Sequence, residues 1–114
     1  MDKKKAIELI IEYEKKQGRN PERANKFKEG CDLKSGERFI DLKINGKKNP
    51  NILIRFSNFK KLGKNILRYY IYLLEEGGQK LKILEPDFIM KNLSLLTLIN
   101  IKSDLINQLN NIDL

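Results

Sequence analysis

A chain of 114 residues can build one modest hydrophobic core but not two. It has no histidine and a single cysteine, Cys31, which excludes Ser-His and Cys-His nucleophilic pairs, histidine general bases, zinc sites of the usual Cys/His type and any internal disulfide. Its net charge of +8 is uneven: residues 1–70 hold 19 basic and 9 acidic side chains, residues 71–114 only 4 and 6, and no acidic residue interrupts the stretch from Leu42 to Leu74. That stretch contains Lys43, Lys47, Lys48, Arg55, Lys60, Lys61, Lys64 and Arg68. A field of one sign attracts polyanions, with nucleic acid the commonest intracellular one, and a lysine-rich surface also serves solubility. No apolar run approaches the ~20 residues that span a bilayer. The charged start MDKKKAIELIIEYEKKQ is unlike a signal peptide. A soluble, cytoplasmic protein with no membrane partner is expected.

In chain order, Ala6, Ile7, Ile10, Ile11 and Tyr13/Glu14 recur at helical spacing and predict a first helix over 3–17, closed by Gly18 with Lys15 and Lys16 in its last turn. Glu14 sits beside the apolar face near the end of that helix, where most glutamates are simply solvated. Residues 19–29, with Pro21, read as a connecting loop with one helical turn from Pro21 onward. Gly30-Cys31-Asp32-Leu33 and Arg38–Ile44 read as two strands joined by a turn at Ser35-Gly36. Period two then places Asp41 and Lys43 on one face with Phe39, and Ile40, Leu42 and Ile44 on the other. Asn45–Pro50 is a turn, residues 51–56 a third strand completing a meander, and Ser57 caps a short second helix carrying Lys60, Lys61 and Lys64. Residues 68–75 (RYYIYLLE) predict a central strand and 80–84 (KLKIL) a further one. Beyond Pro86, residues 87–114 show helical spacing at Leu98, Ile101, Leu105, Leu109 and Ile112, widened by Leu95, Leu96, Ile99 and Ile106. Such a helix either covers a sheet face or pairs with a second copy, and the small surface left to cover favours a homodimer. The expected fold is a mixed α/β (α+β) sheet of order αβββαβ with an extra strand and a C-terminal helix, divided into a core over 1–86 and a helical segment over 87–114.

Without histidine, cutting a phosphodiester needs a cation to neutralise charge on the phosphoryl oxygens and a water made nucleophilic by that cation or a nearby base. Asp32 and Asp41 on adjacent strands suit a hard ion such as Mg²⁺ (or Mn²⁺), Lys43 on the same face as Asp41 can orient or deprotonate water, and Glu14 can complete the shell. Taken singly these residues have blander readings: Asp-x-Lys as an exposed ion pair contributing ~0–1 kcal/mol, and Asp32 as a turn residue.

The residues YEKKQGR (13–19), GCDLKS (30–35) and FIDLK (39–43) resemble those of the domain named after the C-terminus of the plant protein NO VEIN, also found in helicase-like proteins, within the PD-(D/E)xK restriction-endonuclease-like superfamily. That family commonly has Gly-Tyr-Asp-Ile-x-Ser and Tyr-Ile-Glu-Val-Lys at the second and third of these stretches. The resemblance covers roughly residues 6–86. It implies a restriction-endonuclease-like core and a Mg²⁺- or Mn²⁺-dependent endonuclease, with Glu14, Asp32 and Asp41 as the acidic, metal-binding positions and Lys43 as the lysine. Asp41 stands where the family has glutamate, Ile44 where a glycine commonly follows the lysine, and Phe59 where a glutamate commonly follows Asn58. The expected partner is DNA, held by Lys47, Lys48, Arg55, Lys60, Lys61 and Lys64. The alternatives are an inactive nucleic-acid-binding module of the same fold and a protein-interaction subunit docking through its C-terminal helix.

Overall fold

The computed structural model describes residues 1–46, 52–92, 98–101 and 103–114. Helix α1 (Lys3–Lys16) forms where the periodicity places it: the Asp2 side chain accepts from Lys5 N–H at 2.8 Å, capping the first turn, and Ala6, Ile10 and Glu14 make its buried stripe. Gly18, with φ of 82°, then turns the chain out of the helix in the left-handed region that glycine enters without strain.

Strands β1 (Pro21–Arg23), β2 (Leu33–Ser35), β3 (Arg38–Asn45), β5 (Tyr69–Glu75), β6 (Lys80–Leu84) and β8 (Ile112–Asp113) form a six-stranded sheet in the order β1-β2-β3-β5-β6-β8. All neighbours are antiparallel except β3 and β5, which run parallel with Asp41 opposite Ile71 and Leu42 opposite Tyr72. The mixed α/β class and the central place of the aromatic strand β5 agree with expectation. One sheet face packs Ile40, Leu42, Tyr72, Leu74 and Leu81 against Ala6 and Ile10 of α1. The other carries Tyr69, Ile71, Leu73 and Leu84 under Ile52, Ile54, Phe59, Leu62, Ile89 and Ile106.

Several local expectations are corrected. Residues 19–29 hold a strand: β1 sits at the sheet edge with Pro21 at its first position, where a missing N–H is tolerated. The helical turn follows later, as α2 (Lys26–Glu29), capped by Asn25 and ended by Gly30 at φ 79°. The first hairpin strand begins at Leu33 rather than Gly30.

The third strand, β4 (Ile52–Arg55), does not complete a meander; it pairs with β7 (Leu98–Ile101) in a separate two-stranded sheet. Parallel neighbours need a crossover of a dozen or more residues. The chain between β3 and β5 serves as one, through β4, α3 (Phe56–Leu62) and a 3₁₀ turn (Gly63–Arg68). Helix α3 starts one residue before Ser57.

Residues 86–114 are not a continuous helix. Their described part forms α4 (Pro86–Lys91), β7, α5 (Ser103–Ile106) and β8, while Leu95 and Leu96 lie outside the described residues. Leucine and isoleucine at spacings of three and four serve short strands as well as helices when other chain is available to pair with them. Here β4 and β6 supply those partners. The helix on which a homodimer was expected therefore does not exist as one element.

Candidate active site

The hairpin register places Leu33 opposite Ile40, so Asp32, just ahead of β2, falls opposite Asp41 on β3. Asp32 N–H donates to Ile40 O at 2.8 Å, and its Oδ2 accepts from Leu42 N–H at 2.8 Å. A side-chain oxygen thus supplies an acceptor to β3 just ahead of the first residue of β2. Alternation turns Ile40 and Leu42 toward α1 and leaves Asp41 on the face of Tyr69, whose hydroxyl donates to Asp41 Oδ2 at 2.9 Å.

Asp41 is fully buried and Asp32 is 8% exposed. Removing ions from water costs several kcal/mol each unless they are paired and hydrogen-bonded. Three lysines meet that need. Lys26 Nζ lies 2.8 Å from Asp41 Oδ1 and 3.9 Å from Asp32 Oδ2, Lys43 Nζ 3.5 Å from Asp41 Oδ2, and Lys3 Nζ 3.1 Å from Asp32 Oδ2. Lys3 also donates to Leu42 O.

This crowding drives the two acids apart in acidity. Burial, then the hydrogen bond and charge of Asp41, raise the Asp32 carboxyl. Burial also pushes Asp41 up, but its hydrogen bond with Asp32 and the charges of Lys43 and Lys26 outweigh it and bring it down to about 2. Burial lowers Lys43, and Lys26 and Lys3 add to that against the pull of Asp41 and Asp32. For Lys26 burial acts the same way, but the charge and hydrogen bond of Asp41 prevail and raise it.

Glu14 is not brought to this pair. It is fully buried on the α1 side of the sheet, its oxygens 2.6 and 2.7 Å from Nε and Nη2 of Arg19. Tyr72 donates to it at 2.9 Å and accepts from Arg38 Nη1 at 2.8 Å. Tyr72 stands opposite Leu42 in the parallel ladder, so it points away from the face of Asp41. Burial pushes Glu14 up, but Arg19, Tyr72 and the neighbouring Ser35 hydroxyl outweigh it and lower its pKa. The buried Ser35 Oγ has no hydrogen bond of ordinary length and angle among the described residues, so its part in this is a dipole nearby rather than a formed bond.

Of the expected DNA-binding residues, Lys47 and Lys48 lie outside the described residues, and Arg55 is described only as a position in β4. Lys60 and Lys61 of α3 and Lys64 of the 3₁₀ turn are exposed. Helix α3 packs against α2, the element that sends Lys26 to Asp41, so this basic surface borders the acid pair. Three site residues escaped the sequence reading: Lys3, Lys26 and Tyr69. Only Tyr69 left a signal, because strand alternation puts it two positions before Ile71, the partner of Asp41.

Among the described residues no three carboxylate or thiol groups gather as a metal-binding cluster. The donor set that is present, the facing carboxyl groups of Asp32 and Asp41 on adjoining segments, still fits a hard cation that takes one or two carboxylates and completes its shell with water and phosphate. Asp32 and Asp41 would hold it, and the Lys26 ammonium would have to yield an oxygen of Asp41.

No family model matches the chain, and no curated protein matches it. Among solved structures it is similar to Hjc, a Holliday junction resolvase from the archaeal hyperthermophile Archaeoglobus fulgidus. The TM-score is 0.60 over 89% of this chain and 91% of that chain, at 11% sequence identity. At that identity the likeness speaks for the fold, and the fold is a restriction-endonuclease-like mixed α/β core.

Proposed function

We infer that the chain is a nuclease that hydrolyses phosphodiester bonds in DNA with the help of Mg²⁺ or Mn²⁺. The observation that carries this reading is the convergence of Asp32, Asp41 and Lys43 on one sheet face, beside exposed lysines of α3. The fold shared with a resolvase supports it. A bound divalent ion would neutralise charge on the scissile phosphate and acidify a water. Asp32 and Asp41 would hold the ion, Lys43 would take up a proton from the attacking water, helped by its lowered pKa, and Lys60, Lys61 and Lys64 would position the backbone of the strand.

Incubation with plasmid, linear and branched DNA plus Mg²⁺ or Mn²⁺ tests the reading. Cleavage that disappears in Asp41→Ala and in Lys43→Ala supports it; absence of cleavage on every substrate, or cleavage that survives both changes, sinks it. A second reading, a nucleic-acid-binding module without turnover, is favoured by one observation: Lys3 and Lys26 of the chain itself pair with Asp32 and Asp41. It predicts salt-sensitive DNA binding that needs no metal and is unmoved by Asp41→Asn.

A further inference from the structure

Helix α2 presents two neighbouring side chains in opposite directions. Lys26 turns inward to the carboxylate of Asp41. Phe27, the next residue, is 81% exposed, and among the described residues it is the one aromatic side chain so placed, the other exposed large apolar ones being Leu67, Met90 and Leu114. A single exposed apolar residue is ordinary. Phe27 differs in its setting: Lys61 Nζ lies 4.7 Å from the ring centroid, holding one face by a cation–π contact. With so much of the ring still in water, its remaining face and edges are open.

The support beneath the ring is firm. Asn25 caps the turn through Lys28 N–H at 3.2 Å, Glu29 reaches back to Asn25 N–H at 3.0 Å, and Gly30 closes it. An aromatic face beside lysines, one residue from a group that touches the acid pair, has the make-up of a stacking platform for a base next to a neutralised phosphate. The Lys61 ammonium serves both sides of such a contact, orienting the ring and facing the backbone of the strand.

We propose that Phe27 and Lys61 form a binding site for an unpaired nucleobase, next to the point of cleavage. The site rests on the nucleic-acid reading above and sharpens it: the preferred substrate has at least one unstacked base close to the cut phosphate, because a base inside a continuous duplex offers no open face to the ring. Cation–π pairing alone would explain the Phe27–Lys61 contact, but it would confer no preference between paired and unpaired DNA.

The test compares two labelled oligonucleotides of the same sequence, one fully paired and one with a central single-stranded gap, bound without divalent metal so that cleavage does not intervene. Wild type is expected to favour the gapped form. Phe27→Ala is expected to weaken binding to the gapped form by about 5- to 150-fold, the range of a lost base–aromatic stack, while leaving the duplex affinity and the unfolding midpoint unchanged. The chain has no tryptophan, so Phe27→Trp introduces its only indole, and the emission of that indole is expected to be quenched by the gapped form and not by the duplex. Equal losses on both DNAs, or an indole that ignores the gap, overturn the proposal. Binding of both DNAs that Phe27→Ala leaves untouched overturns it alone, whereas failure of wild type to bind either DNA overturns it together with the nucleic-acid reading.

Discussion

Lys26 Nζ sits 2.8 Å from Asp41 Oδ1, so the most buried acid of the site has a lysine as its counter-ion. Tyr69 holds the other oxygen at 2.9 Å. Both oxygens of Asp41 are thus occupied by protein donors, and a divalent ion at the proposed site would have to compete with an internal ammonium.

Removing that competitor should improve metal binding. A charge-assisted hydrogen bond contributes about 1.5–3 kcal/mol, so Lys26→Met is expected to raise Mn²⁺ affinity by about tenfold or more, as measured by titration calorimetry. Unchanged or weaker binding would show that Lys26 is not displaced when the ion binds.

On the proposed nuclease reading, the depressed pKa of Lys43 predicts a pH signature for cleavage. A lysine whose pKa falls below the ordinary 10.5 loses its proton earlier on the alkaline side, so the rate should climb with pH through that lowered value and level off before 10.5. Arginine stays protonated throughout. Lys43→Arg should therefore remove the climb and reduce the plateau rate by roughly 10²–10⁴-fold, with Mn²⁺ binding retained. A pH–rate profile unchanged in shape by this substitution would rule Lys43 out as the proton acceptor.

Arg19 stabilises the fold by pairing with Glu14, which is fully buried. Leaving a buried charge without its partner costs about 3–5 kcal/mol, so Arg19→Met should lower the unfolding free energy at pH 7 by that amount in urea titrations. The pH dependence should also reverse. In wild type the Glu14 pKa is lowered from 4.5, so its contribution is complete above 4.5 and is lost as pH falls through the lower folded value. In the variant burial acts unopposed by Arg19 and favours the protonated acid, so the gap to wild type should narrow as the solution is acidified.

Cys31 is fully buried, and burial, followed by the charge of Glu29, pushes its thiol up to about 11. The thiolate is the reactive form. Native protein at pH 8 should therefore resist a thiol reagent such as dithionitrobenzoate, and one equivalent should react once urea unfolds the chain. Rapid labelling of the folded protein would contradict the burial of this residue.

Much of the site's frame was legible in the sequence, and the reason is that it is local. The stripe Ala6, Ile10 and Glu14 follows from helical period, and a turn at Ser35-Gly36 is enough to bring Asp32 across from Asp41. Contacts set by the packing of distant elements were not legible. Lys26 is one of two lysines in a segment without periodicity, and nothing nearby marks it as the one that turns inward. Lys3 reaches Asp32 only because α1 lies across β3. Glu14 could be placed beside the apolar face of its helix, but neither its burial nor the side of the sheet it meets could be read, and strand parity, which sets Tyr72 away from Asp41, decides the latter. The C-terminal quarter was misread because the same apolar spacing suits a helix and a pair of short strands, and the choice was made by β4 and β6.

The parallel β3–β5 pair has a consequence for assembly. The hairpin of residues 33–45 can form early and carries Asp41 and Lys43, with Asp32 next to it, but Tyr69 arrives only after the crossover through β4, α3 and the 3₁₀ turn has closed. Until then the acids stand in water as ordinary surface carboxylates. A nascent chain emerging residue by residue thus holds its acids long before it holds their buried environment, and competence for chemistry is expected only when the last central strand has docked.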